Sequence, residues 1–420
     1  MEYSLPEADP DSRQPARGNN LEDLRRQNLS AILGLVHANG SLSRADITRA
    51  TGLNRSTVAT IVSELERMDL VVVSEPRDTK RVGRPSTVVG PSERFIAIAV
   101  NPDQDAIAIG IVAMGGQVLR EFRFPVERIP SARETINTLS AVLQGLHGDL
   151  SAQRTVVGIG VAVPGLVGAR DGIVRVAPHL AWRDEPIVEL MAASTGYPTW
   201  AANDATCGVV AEGQFGIAAG EDNVVYLNGG AGGIGGGAIL GGQLLSGESG
   251  FSGELGHTLV NSNGALCHCG AIGCLETEVS RSALLAAVGL EPQDASRLEE
   301  RLRAGYRIDR SLTEVVDSQM QYLAVALRNF VNIFNPGLIV LGGFLADLFT
   351  VAGERLEYEV ASSSLPGPAT EVRIVGSTLE NNLLIGAAEL VLQTVLRDPT
   401  SAAEIGRTLE PREAHVAAVR

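Results

Sequence analysis

GELGHTLVNSNGALCHCGAIGCLE, residues 253–276, is the stretch on which the reading of this chain turns. Three of the four cysteines, Cys267, Cys269 and Cys274, crowd into eight residues of it; the fourth, Cys207, lies elsewhere. With His257 they make a Cys3His set suited to tetrahedral coordination, and soft ligands in that number favour zinc over magnesium or calcium. Four protein ligands leave no open position, so the expected zinc is structural. Gly264, Gly270 and Gly273 let such a loop fold tightly. His268 is a possible substitute for His257, but it lies between two ligands and is expected to point outward. The plain alternative is three buried free thiols. A redox pair fits less well, because Cys-X-Cys is not the Cys-X-X-Cys spacing of thiol oxidoreductases.

Polar residues cluster around this loop. Glu254 stands three residues before His257, and Glu276 two after Cys274. Asn203 and Asp204 follow the apolar run Pro198–Ala202, at an expected strand end. Carboxylates plus an amide suit a site that binds several sugar hydroxyls, each a donor and an acceptor. Such a site discriminates well, since a missing hydroxyl leaves buried polar groups unpaired. Taken singly, each residue also fits a turn or a helix cap. The metal would fix Glu254, His257 and Glu276 as one rigid unit.

Outward from the loop, residues from Phe95 to about Leu396 alternate strand-like apolar runs, glycine turns and helical stretches, an α/β pattern. Two strand-rich halves, 95–200 and 222–345, suggest two similar lobes. Upstream, residues 21–75 read as helices. Leu21–His37 has helical apolar spacing that ends at Gly40. Ser43 caps a second helix, with Asp46 three residues on, and that helix is expected to bury Ile47 and Ala50. Asn54 caps a third, in which Val58, Ile61, Val62 and Leu65 form one stripe. Arg55, Ser56, Thr57 and Thr60 lie off the stripe at its N-terminal end, where a recognition helix meets major-groove base edges. Leu70–Ser74 reads as a strand. Arg77, Lys80, Arg81 and Arg84 follow around Gly83 and Pro85, a wing from which Arg81 and Arg84 would enter a minor groove.

Charge agrees with this division. The chain of 420 residues carries a net −15 and should repel nucleic acid as a whole. Residues 20–90, however, hold ten Lys/Arg against eight Asp/Glu, a local +2 that leaves −17 for the remainder. Hydrophobic residues at 45% and charged residues at 20% exclude a wholly disordered chain. No apolar stretch is long enough to span a bilayer. The acidic, Pro-containing start (Glu2, Pro6, Glu7, Asp9, Pro10, Asp11) does not read as a signal peptide, so a cytoplasmic protein without membrane contact is expected.

With these residues in view, the sequence resembles the ROK family (repressors, open reading frames and sugar kinases) over about residues 20–395, and most of all its DNA-binding, xylose-repressor-like branch. The most specific marker is Glu254-X-X-His257 followed by Cys267-X-Cys269-Gly-X-X-Gly-Cys274-X-Glu276. Pro164-Gly165, Asn203-Asp204, the glycine-rich 229–237 segment, Val340-Leu341-Gly342-Gly343 and Gly386-Ala387-Ala388 are also family-like. The resemblance implies an α/β architecture: an N-terminal winged helix-turn-helix plus the two-lobed actin-like/hexokinase-like ATPase fold. It divides the chain into a disordered arm (1–20), the DNA-binding domain (21–90), the sugar-binding domain (91–397) and a tail (398–420). The lobes would cover about 91–205 with the C-terminal helix, and 206–375. It makes Asn203, Asp204, Glu254, His257 and Glu276 sugar contacts, with Asp204 the general base in kinase members.

Two departures qualify that picture. Kinase members carry an Asp-X-Gly-Gly-Thr-type phosphate loop in the first hairpin. Here Ala99 stands in place of the Asp, and Asn101-Pro102-Asp103 in place of Gly-Gly-Thr, which argues against ATP turnover. His179, in Ala177-Pro178-His179-Leu180, replaces an Asn common in sugar kinases. The expected function is thus a sugar-responsive transcriptional regulator, a repressor without enzymatic activity. Its partners would be double-stranded operator DNA, a monosaccharide effector and a second copy of itself, as dimer or tetramer. The rival is an ATP-dependent sugar kinase with a fused DNA-binding head.

Overall fold

In a computed structural model, residues 21–75, 87–402 and 405 are described. Arg77, Lys80, Arg81 and Arg84 of the expected wing, the arm 1–20 and most of the tail lie outside the described residues.

The head is built as its capping signals dictate. Helix α1 (Leu21–Asn39) is followed by a short strand β1 (Leu42–Ser43) and helix α2 (Arg44–Thr51). Ser43 Oγ accepts the Asp46 N–H at 3.1 Å and donates to Asp46 Oδ2 at 2.6 Å, a capping box closed by Asp rather than Glu. Asn54 Oδ1 accepts the Thr57 N–H at 2.8 Å and starts α3 (Arg55–Arg67). The stripe Val58, Ile61, Val62 and Leu65 is buried against Leu29, Ile32, Leu33 and Val36 of α1. Strand β2 (Val71–Ser74) pairs antiparallel with β3 (Val88–Pro91), which also pairs with β1. One expectation fails here. Ala50 is exposed while Ile47 is buried, because α2 is two turns long and meets its neighbours along one line only. The first turns of α1 overhang the core, leaving Leu21 and Leu24 in solvent.

The remainder holds two sheets of the same topology. The first comprises β4 (Phe95–Pro102), β5 (Ala106–Ala113) and β6 (Gln117–Pro125), helix α4 (Ala132–Gln153), and β7 (Thr155–Val163). A small antiparallel sheet of β8 (Leu166–Val167), β9 (Val174–Ala177) and β10 (Trp182–Glu185) intervenes, then α5 (Ile187–Thr195) and β11 (Thr199–Asn203). Strand order is β11-β7-β4-β5-β6. Helix α6 (Asp204–Phe215) leads to the second sheet, which begins with β12 (Val224–Gly229), β13 (Ile234–Leu240) and β14 (Gln243–Leu244). Helices α7 (Leu275–Glu278), α8 (Arg281–Val288), α9 (Leu298–Gly305) and α10 (Arg310–Phe334) precede β15 (Leu338–Gly343). Then come α11 (Phe344–Ser363), α12 (Pro366–Glu371), β16 (Arg373–Gly376) and α13 (Asn382–Arg397). Its order, β14-β13-β12-β15-β16, repeats the first sheet: a three-strand meander whose first strand is extended by two parallel strands.

Alternation along the central strands explains the layering. Ile96, Ile98 and Val100 of β4 enter one core with Leu139 of α4 and Met191 of α5. Ala97 and Ala99 face the other way, onto α13, in the core that also holds α1 and α3. In the second sheet Val225 and Leu227 meet α10 and α11, whereas Val224 and Tyr226 face α6. The head therefore shares a continuous apolar core with the first lobe through α13. Beyond α13 the chain turns back onto α1: Ala402 is buried in the same core, so the stretch read as the start of a tail is folded at its beginning. Among the described residues no helix is long and apolar enough to cross a membrane.

Candidate functional site

Strand β11 ends at Asn203, and α6 begins at the next residue, at the mouth of a cleft of about 370 Å³ between the two sheets. Asn203 is the N-cap: its Oδ1 accepts the Thr206 N–H at 3.1 Å, and its Nδ2 donates to the Gly165 carbonyl at 3.1 Å. Asp204 is 8% exposed, with Oδ1 accepting the Ala205 N–H at 2.8 Å and Oδ2 facing Asn228 Nδ2 at 3.4 Å. Burial, and then the Asp103 carboxylate, push its carboxyl up to about 6. Glu254 lines the same cleft. Its side chain keeps 38% of its exposure, yet the cleft walls crowd it. Desolvation, then Asp204 and Glu276, raise it to about 7. Near neutral pH these carboxyls can donate as well as accept, which suits adjacent hydroxyls.

The cysteine loop forms the floor. Cys269 Sγ and Cys274 Sγ are 3.7 Å apart, and Cys267 Sγ lies 3.6 Å from His257 Nδ1. Tetrahedral ligands at Zn–S distances of about 2.3 Å and Zn–N of about 2.05 Å would be separated by about 3.8 and 3.6 Å. The donor atoms of His257, Cys267, Cys269 and Cys274 all lie within 4.8 Å of one another, so this set can hold a metal ion. His257 turns Nδ1 to the thiols and Nε2 toward Glu254, 3.8 Å away. It thus touches both the metal cluster and the cleft.

His268 does not point outward. Its Nδ1 lies 3.0 Å from Glu276 Oε1, and its ring makes edge contacts with His257 at 5.0 Å and His179 at 4.5 Å. The tight return from Cys267 to Cys269 swings the intervening side chain over the cleft, where Glu276 draws it in. His257, Cys267, His268 and Glu276 form a second set of donors within the same 4.8 Å, sharing two members with the first. The all-sulfur remainder of the first set, Cys269 and Cys274, makes it the better match for a soft ion.

Sequence reading missed three further lining residues. Asn228, at the end of β12, holds Asp204 from above and accepts from Tyr226 Oη at 3.3 Å. Arg183 lies at the rim. Asp103, in the β4–β5 turn, accepts the Gln104 N–H at 2.7 Å and lies beside the Ala231 backbone, and burial raises its carboxyl pKa. Only its place beside the degenerate phosphate loop hinted at this. His179, flagged by sequence, lines the cleft on a 3-10 turn (Pro178–Leu180), with Nε2 buried and without a hydrogen-bond partner. Burial, then the His268 ring, depress its pKa. Ala99 is fully buried beneath α13, away from the cleft residues.

The glycine segment 229–237 is a β12–β13 hairpin, with the Gly230 N–H bonded to the Gly233 carbonyl at 2.9 Å. Two of its glycines make room for α6. A Cβ at Gly235 would stand 2.9 Å from Ala205 Cβ, and one at Gly237 2.9 Å from the Ala205 carbonyl. The cleft is also bridged: Arg281 of α8 donates to Asp105 Oδ2 at 3.3 Å, joining the second lobe to the β4–β5 turn of the first.

In the head, Arg55, Ser56 and Thr60 are exposed at the N-terminal half of α3, while Thr57 is half-buried and spends its N–H on the Asn54 cap. Ser56 Oγ donates to Asn54 Oδ1 at 2.6 Å and Thr60 Oγ1 to the Ser56 carbonyl at 3.0 Å, so their hydroxyls retain acceptor capacity.

Comparison with known proteins agrees with this geometry. Residues 97–394 match the pattern of the ROK family, and residues 25–72 that of a winged helix-turn-helix DNA-binding domain. The xylose repressor of Caldicellulosiruptor bescii is 27% identical over 399 residues, covering 90% of this chain and 98% of the relative. A crystal structure of a ROK family transcriptional regulator, a homolog of the E. coli MLC protein, superposes with a TM-score of 0.71 at 25% identity, over 91% of this chain and 99% of that one. A Streptomyces griseus ROK family glucokinase in complex with glucose and AMPPNP gives a TM-score of 0.62 at 25% identity, over 71% and 99%.

Proposed function

The chain belongs to the ROK family and carries a winged helix-turn-helix head, and from that premise we propose that it is a sugar-responsive transcriptional regulator, a repressor that a monosaccharide releases from operator DNA. One observation carries this reading over its kinase rival. The Asp103 carboxylate lies against the β12–β13 hairpin at Gly230 and Ala231, placing an acid beside the backbone donors on which a nucleotide phosphate would rest. Asp103, Asp204, Glu254 and Glu276 make the cleft acidic, which favours an uncharged polyol over a phosphorylated one. The feature that favours the rival is Asp204, retained and raised to about 6, suitable for a general base.

In this reading Asn203, Asp204, Glu254, His257 and Glu276 bind the sugar hydroxyls. Asp204 and Glu254 line the same cleft, close enough for their charges to interact. Zinc is held by His257, Cys267, Cys269 and Cys274, and the donor spacings support it. Bound there, it supplies no reaction chemistry and locks His257 and Glu276 in place. Arg55, Ser56, Thr57 and Thr60 read bases in the major groove, with Arg81 and Arg84 in the flanking minor groove. The protein acts in the cytoplasm as a dimer or tetramer that presents paired heads to a two-fold operator. Release requires that sugar bind the DNA-free conformer more tightly, by about 5.5 kcal/mol for a swing from 1:99 to 99:1.

Calorimetry on the zinc-loaded protein tests the proposal, using D-xylose, D-glucose and N-acetyl-D-glucosamine with and without an ATP analogue. Binding without nucleotide, lost in Asp204→Ala, is expected. ATP-dependent phosphorylation that disappears in Asp204→Asn would favour the kinase.

A further inference from the structure

Helix α6 has one end in the cleft and the other against the head. Asp204 opens it, and Phe215 closes it 11 residues later, about 17 Å away at 1.5 Å per residue. Nine of its twelve residues are buried. The second sheet holds it through the Tyr226 ring, which leaves no room for a Cβ at Gly208, and through Ser377, just after β16, whose Oγ donates to Glu212. Helix α13 grips the other side so closely that a Cβ at Gly386 would collide with the Cys207 carbonyl. A rod clamped on both flanks moves as a unit or not at all.

Its far end meets the head where Phe215 packs on His37. The Phe215 ring packs edge-on against the His37 ring, at 5.1 Å and 65°, and bears on the β5–β6 turn at Gly116. His37 is in the last turn of α1 and is 1% exposed. Its Nδ1 accepts the Gly115 N–H at 3.0 Å, so Nε2 carries the proton and donates to Glu389 Oε1 of α13 at 3.0 Å. Glu389 is equally buried, its other oxygen accepting from Gln393 Nε2 at 3.2 Å. Displacing His37 would strand a buried carboxylate, so the junction resists small graded shifts. Because α1 and α3 share one core, whatever moves His37 moves the recognition helix.

We infer that α6 transmits the sugar signal to the DNA-binding head, with Phe215 and His37 as the positioning residues at the junction; this rests on the sugar-responsive reading above. The test reads both ends of the helix separately. Hydrogen exchange is followed by mass spectrometry on the full-length, zinc-loaded protein with saturating D-xylose, D-glucose or N-acetyl-D-glucosamine. In the wild type, sugar is expected to change exchange both in cleft peptides around 203–207 and 228–237 and in α1 peptides. In Phe215→Ala the cleft response should persist while the α1 response falls at least about fivefold, the lower range of allosteric coupling. Phe215→Leu, which keeps bulk at the junction, should restore part of it. Should Phe215→Ala fail to fold, His37→Gln and Phe215→Leu carry the comparison. An α1 response as large in the variants as in the wild type overturns the route. So does a cleft that responds while α1 does not in the wild type. Silence of every peptide to all three sugars would instead refute the sugar-responsive reading.

Discussion

Asp204→Asn should stabilise the sugar-free protein at alkaline pH while destroying its cleft. Burial and the Asp103 carboxylate lift the Asp204 carboxyl from an ordinary 3.8 to about 6. The folded state therefore prefers the protonated form. Relative to the unfolded chain, that contribution is complete below pH 3.8 and is lost as pH rises through about 6. A shift of about two units corresponds to about 3 kcal/mol of destabilisation above pH 7. Asparagine removes the charge and can still accept the Ala205 N–H, although Asn228 must reorient its amide. Lost or rearranged bonds offset part of the gain, which leaves about 1–3 kcal/mol. The assay is differential scanning calorimetry of both proteins from pH 5 to 8.5 without sugar. Their difference in Tm should be smaller at pH 5, where about half of the charge effect is already present, rise in favour of the variant through pH 6 and level off above pH 7. Sugar affinity should fall at least about tenfold, an exchange of stability for function. A variant less stable than wild type at pH 8, or a difference that ignores pH, would refute the claim that this carboxylate is held at an electrostatic cost.

Three further outcomes are expected. Cys269→Ser should lower bound zinc, measured by mass spectrometry of the metal, from one per chain to well under one, and weaken sugar binding because Glu276 and His257 lose their common anchor; full zinc occupancy would contradict the ligand set. Arg281→Ala removes the bridge to Asp105 across the cleft, a half-buried pair worth about 1 kcal/mol. Small-angle scattering should then show a wider cleft, and sugar affinity should drop about fivefold, so unchanged values of both would deny the bridge a role in closure. Arg55→Ala should cost about 1–3 kcal/mol at a selected operator and relax the preference at one base pair, whereas a uniform loss across sequences would make Arg55 a phosphate contact.

The head was legible because its signals are local. A Ser or Asn cap, a stripe at helical spacing and a glycine after the last turn act within a few residues. The cysteine loop was legible for the same reason: its thiols lie within eight residues. The errors arose where an orientation depended on more distant parts of the chain. Ala50 is exposed because no element among the described residues covers the second side of α2. His268 turns inward because the His179 ring, far upstream in sequence, and Glu276 lie on that side. Asn228 was missed because an Asn at a strand end carries no signal until Asp204, 24 residues upstream, is brought beneath it.

The sequence alone determined the two-part plan, the donor set for a metal and the polar residues bracketing it, since residue type and short-range spacing encode them. Only the tertiary structure decided what those residues face. It showed that His257 divides its two nitrogens between thiols and cleft, and that Asp103 lies against the glycine hairpin. It also showed that Asp204 and His37 lie near opposite ends of one buried helix. Such facts depend on packing two sheets and three helices against one another, and close packing couples residues that chain order keeps far apart.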